Sequence, residues 1–202
     1  MSELDWSNIG FGYHKTDYNV RCYFRNGAWG EIETCSEETI PMHMAATCLH
    51  YGQEAFEGLK AYRCPDGKVR VFRVDENAAR LQSTCRGILM PEVPTELFIS
   101  MVEKVIRLNE RFIPPYESGA SLYIRPLLLG TSAQVGVHPS EEYIFLIILC
   151  ALRKFSPNLD FLSYEHTCKT DVASTLTDTL LDLVRKHVYL DLLILRTTEN
   201  DR

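Results

Sequence analysis

The sequence predicts an α+β domain, an antiparallel sheet with helices packed on it, and three observations lead there. Two hairpin signals, Asn26-Gly27 and Pro65-Asp66-Gly67, each separate short runs rich in β-branched and aromatic residues. Two later segments, 121–129 and 143–150, read as strands, the second a buried one with a continuous run of β-branched and aromatic residues. Between the second hairpin and these strands, residues 76–85 and 95–112 carry apolar side chains at helical spacing.

Taken in order, Val20–Phe24 and Trp29–Thr34 flank an Asn-Gly pair, and both turn residues tolerate positive φ. Residues 41–46 are a loop or short helix leading to Tyr51. Phe56–Arg63 and Lys68–Arg73 should pair antiparallel around Pro65-Asp66-Gly67, where Pro presets one dihedral and Gly accepts the other. Asp75 is the expected N-cap of a helix over 76–85. Thr95 is the expected cap of a longer one, which Pro114-Pro115 terminates. Leu97, Phe98, Met101, Val102, Val105, Ile106 and Leu108 form its core stripe. Residues 131–137 are a polar loop containing Gly136.

Composition narrows the function classes. With 202 residues, 46% hydrophobic and 24% charged, the chain reads as an ordinary soluble globular protein of one domain or two. A net charge of -6 without a Lys/Arg cluster argues against a nucleic-acid or anionic-membrane partner. Seven cysteines without a Cys-x-x-Cys pair, together with an acidic amino terminus that has no apolar run behind it, fit free thiols in the cytoplasm. Six histidines without a His-x-x-x-His pair predict no metal site.

Two stretches carry candidate chemistry. Side chains alternate along a strand, so Phe56, Gly58, Lys60 and Tyr62 share one face. Gly58 marks either a bulge in a plain edge hairpin or a place where a ligand nears the backbone. In Leu122-Tyr123-Ile124-Arg125-Pro126, the phenol of Tyr123 and the guanidinium of Arg125 point the same way. Arginine suits a carboxylate or phosphate through paired hydrogen bonds, and a surface salt bridge is the plain alternative for Arg125 alone.

Tyr51, Phe56-Glu57-Gly58, Val71-Phe72-Arg73, Leu122 to Pro126 and Gly136-Val137-His138-Pro139 occur in an order that resembles the amino-terminal half of branched-chain amino acid aminotransferases. The resemblance covers roughly residues 5 to 150. It implies the small amino-terminal domain of the class-IV, D-amino acid aminotransferase-like, pyridoxal-phosphate fold over residues 1–150. It also implies transfer of the amino group of leucine, isoleucine or valine to 2-oxoglutarate. By the same resemblance, Arg73 holds the cofactor phosphate and Tyr123 and Arg125 recognise carboxylate. Tyr51, Phe56 and Val137 line an aliphatic pocket, with Tyr51 and Val137 reaching into a neighbouring subunit. D-amino acid aminotransferases and aminodeoxychorismate lyases share the fold, and the Tyr-Ile-Arg-Pro and Phe-Glu-Gly segments lean away from both.

The resemblance ends near Cys150. The family's second domain, with the lysine that anchors the cofactor, is not recognisable in residues 151–202, a segment without any glycine. The expectation is therefore a truncated family member, either inactive or pairing as a non-catalytic partner with a full-length homologue, and otherwise a homodimer. Residues 174–189 have helical spacing, and Lys154, Lys169 and Lys186 read as solvated surface lysines.

Overall fold

The computed structural model describes residues 13–118 and 120–152 of the chain. The expected helix over 174–189, the apolar run after it and the three tail lysines lie outside these residues. The chain runs through β1 (Asn19–Arg25), β2 (Ala28–Trp29), β3 (Glu33–Cys35), a one-turn helix α1 (Thr47–Tyr51), β4 (Glu54–Phe56), β5 (Leu59–Arg63) and β6 (Val69–Val71). It continues through α2 (Val74–Gly87), α3 (Thr95–Leu108), β7 (Ser121–Gly130) and β8 (Tyr143–Leu152). All pairings are antiparallel and the sheet order is β2-β1-β8-β7-β5-β6, with β3 beside β1 and β4 beside β7. This is the α+β architecture the sequence predicts.

Both turns form where the turn chemistry places them, but the arm expected over Trp29–Thr34 is corrected to two short strands, β2 and β3, each paired with β1. Asn26 and Gly27 take φ of 53° and 78°, and Gly67 takes 75°, the left-handed region that Gly and Asn enter at least cost. The sequence reading of one strand from Phe56 to Arg63 is corrected: the ladder against β7 is interrupted at Glu57-Gly58. No bulge causes it, because Phe56 partners Leu127 and Leu59 partners Ile124, so the register is continuous across the gap. The cause lies on the neighbouring strand. Pro126 faces Glu57 and has no N–H to give, so the pair makes only the bond from the Glu57 N–H to the Pro126 carbonyl, 2.9 Å.

The helices also begin and end differently from the sequence reading. The first starts at Val74, capped by Arg73 at φ 48° rather than by Asp75. The second is preceded by Pro94, has Thr95 as its first helical residue, and stops at Leu108 instead of Phe112. A short 3-10 turn, Glu110–Phe112, follows. It ends early because the buried Asn109 side chain donates to the carbonyls of Tyr18 (3.0 Å) and Val105 (2.8 Å) and accepts from the Tyr18 N–H (3.1 Å). That set of bonds ties the chain entering β1 to the end of α3.

Alternation assigns the two sheet faces. Val20, Cys22, Ala55, Leu59, Ala61, Leu122, Ile124, Leu128, Phe145, Ile147 and Leu149 point to the helices. There they meet Leu81 and Cys85 of α2 and Phe98, Met101, Val102 and Val105 of α3. Phe98 stacks on Phe145 with centroids 5.8 Å apart. Among the described residues, the other face is covered at one end, where Ile40, Met42 and Cys48 pack on Leu129, Ile144 and Leu146. Buried Arg21 secures that cover by donating to the carbonyls of Glu37 (2.7 Å) and Thr39 (3.1 Å). Among the described residues no helix is long and apolar enough to cross a membrane.

Candidate functional site

The part of that second face that no described residue covers carries the central candidate residues. β7 presents Tyr123 and Arg125 there, β4 presents Phe56, and Lys60 of β5 stands opposite Tyr123 in register. The three expected residues Phe56, Tyr123 and Arg125 are brought together. Arg125 lies over the Phe56 ring at 4.4 Å and donates from Nε to the Tyr123 hydroxyl at 3.0 Å. No acceptor among the described residues bonds its two terminal nitrogens, so the guanidinium is oriented on one edge and unspent on the other.

Gly58 gives this cluster its room. A Cβ at residue 58 would stand 2.7 Å from the Tyr123 hydroxyl oxygen, closer than carbon and oxygen tolerate. The missing side chain thus lets the phenol lie flat across the strand and meet Arg125.

Arg73 ends the β6 hairpin at the amino end of α2. Its left-handed backbone is uncommon for a residue with a Cβ, and it directs the guanidinium beside the first turn of the helix. There it bonds Glu76 at 2.6 Å, with both side chains more than half exposed. An exposed pair of this kind contributes about 0–1 kcal/mol and exchanges readily for another anion.

Tyr51 and Val137 form a second group. The Tyr51 hydroxyl donates to the Val135 carbonyl, two residues from Val137, whose side chain is 89% exposed. The loop between β7 and β8 is held from below by the Gln134 N–H to the Ala45 carbonyl (3.0 Å) and the Ser140 N–H to Gln53 Oε1 (2.9 Å). Among the described residues no hydrogen bond, ion pair or ring contact joins this group to Arg125 or Arg73. A groove of about 610 Å³ between β6 and α3, floored by Val69, Val74, Val102 and Ile106, contains none of the candidate residues.

Sequence reasoning singled out the residues flanking Glu57 and missed Glu57 itself, which is 3% exposed beneath α2. Arg80 binds it at both oxygens, 2.8 and 2.6 Å, and Asn77 donates to it at 2.7 Å. Two signals were available: period-two alternation puts residue 57 on the helix face, and Asn77 and Arg80 are three apart on one face of α2.

No family model matches the chain. A curated branched-chain-amino-acid aminotransferase of Haemophilus influenzae is 46% identical over 150 residues, which are 74% of this chain and 44% of that protein. The enzyme of the same name from Helicobacter pylori is 46% identical over 151 residues, 75% of this chain and 44% of its own. Among solved structures, the branched-chain amino acid aminotransferase of Escherichia coli superposes with a TM-score of 0.52 at 27% identity, over 69% of this chain and 40% of that one. The chain spans less than half the length of these relatives.

Proposed function

This chain is a relative of the branched-chain-amino-acid aminotransferases over three quarters of its length, and we propose that its residues 1–150 are the small domain of such a site, binding cofactor phosphate and substrate carboxylate. The observation that carries the reading is the half-spent guanidinium of Arg125. Tyr123 fixes its Nε edge and Phe56 its flat face, leaving the terminal nitrogens for the two oxygens of an amino acid or 2-oxo acid. In this reading the exposed apolar side chain of Phe56 forms one wall of the pocket and Tyr51 and Val137 of a second copy would form the others, which suits leucine, isoleucine or valine.

Pyridoxal phosphate fits the chain at its phosphate end. The amino end of α2 offers N–H groups and the positive end of the helix dipole, and Arg73 stands there with only an exposed carboxylate to give up. When bound, this cofactor supplies an electron sink for negative charge at the substrate carbon bearing nitrogen. Among the described residues none is assigned to its aldehyde or its ring nitrogen. The work of this chain is therefore holding and orienting. Arg73 neutralises the phosphate, and Arg125 and Tyr123 align the carboxylate.

Calorimetric titration of the full chain tests this. Arg73→Gln should lose affinity for pyridoxal phosphate while keeping that for 4-methyl-2-oxopentanoate, and Arg125→Gln should do the reverse. Equal effects of both variants on both ligands would reject the assignment.

A further inference from the structure

We infer that Glu57 is a positioning residue whose buried carboxylate sets the distance between the two anion-binding arginines, an inference that rests on the reading just given. Glu57 stands between Phe56 and Gly58, the two residues that frame Arg125 and Tyr123, and its side chain points through the sheet to the opposite face. There Arg80 binds both carboxylate oxygens and Asn77 binds one. Asn77 is the joint. Its side-chain nitrogen also lies 3.4 Å from the Gly58 carbonyl, and its backbone N–H points to the Arg73 carbonyl at 3.4 Å. A short path of hydrogen bonds thus connects the strand under the carboxylate pocket to the residue assigned to phosphate.

Stability alone does not explain the arrangement. A buried ion pair is commonly matched or bettered by apolar residues of the same size, because desolvation offsets the Coulomb gain. What a carboxylate holding three donor contacts supplies is a fixed geometry between two elements that otherwise meet through apolar side chains, Ala78 and Leu81 against Ala55 and Leu59. The Glu57 N–H bond to the Pro126 carbonyl completes the constraint at the one place where the ladder is broken. Without it, α2 and the strand can slide, and Arg73 moves relative to Arg125.

The test uses the full chain with Glu57→Ala and the isosteric Glu57→Gln. Glu57→Ala is the informative lesion because Arg80, 68% exposed, turns to water and leaves no buried charge behind. Two readouts are taken: affinity for pyridoxal phosphate by calorimetry, and amide hydrogen exchange at Glu76 and Asn77, whose N–H groups bond Arg73. The inference expects Glu57→Ala to weaken pyridoxal phosphate binding about tenfold, within the range of a lost charge-assisted contact. Exchange should accelerate at Glu76 and Asn77 but not in α3, and Glu57→Gln should restore part of both. Wild-type affinity and unchanged exchange at Glu76 and Asn77 would overturn the inference while leaving the Arg73 assignment intact. If wild type and Arg73→Gln bind pyridoxal phosphate alike, the functional reading fails. The exchange readout then decides the positioning role alone, and uniform acceleration across α2 and α3 counts against it.

Discussion

Replacing Gly58 by alanine isolates one contact at the centre of the site. Gly58 lies outside the left-handed region, so the backbone accepts alanine without strain, and the cost falls on Tyr123. The new methyl would stand 2.7 Å from the hydroxyl oxygen, so the phenol must swing away and the 3.0 Å bond from Arg125 is lost. Overpacking and the lost bond together cost about 2 kcal/mol, and the stiffer unfolded chain returns about 0.5–1 kcal/mol. The net expectation is a destabilisation of about 1–1.5 kcal/mol, read as a lower urea midpoint at constant slope. In a Tyr123→Phe background the hydroxyl is gone and the nearest ring carbons stand at 3.4 Å, an acceptable contact. There Gly58→Ala should be neutral or slightly stabilising, giving a coupling of about 1 kcal/mol or more. Equal costs in both backgrounds would mean that the strain lies somewhere other than the phenol.

Three further outcomes follow from the structure. Thr47 is fully buried and its hydroxyl has no hydrogen-bond partner among the described residues, so Thr47→Val should be neutral or stabilise by up to about 1 kcal/mol in thermal unfolding. Phe98→Ala, at a fully buried ring stacked on Phe145, should cost about 3–5 kcal/mol in urea unfolding. Hydrogen bonding to the Arg70 guanidinium holds the Asp66 carboxyl down to about 2, below its ordinary 3.8. The folded-state value is the lower one, so this pair's contribution is present above 3.8 and is lost as pH falls through about 2. Carboxyl NMR should show that midpoint, and Arg70→Ala should return it toward 3.8.

What was legible in the sequence was local. Asn26-Gly27 and Pro65-Asp66-Gly67 specify their turns through their own dihedrals, and the Phe98–Ile106 stripe specifies its buried face by period alone. What was not legible depends on partners far along the chain. The gap at Glu57-Gly58 is made by Pro126, on another strand, and the early end of α3 by an asparagine that bonds Tyr18, 91 residues away. The site divides the same way. Alternation placed Tyr123 and Arg125 on one face of their strand and Phe56 with Gly58 on one face of another, but only the register of β4 and β5 against β7 shows that these are the same face of the sheet. Arg73 could be placed near a helix start, but its capping role needs a left-handed backbone that no propensity assigns to arginine. Glu57 was hidden because a carboxylate reads as surface until Arg80 and Asn77 are seen above it.

The most direct measurement follows the Arg125 Nε, Gly58 and Tyr123 resonances of the full chain during titration with 4-methyl-2-oxopentanoate and, separately, with 3-methylbutan-1-ol, which keeps the branched chain and lacks the carboxylate. The oxo acid should shift all three, while the alcohol leaves Arg125 Nε unmoved. Shifts confined to Val69, Val102 and Ile106, in the groove between β6 and α3, would contradict the carboxylate assignment of Arg125.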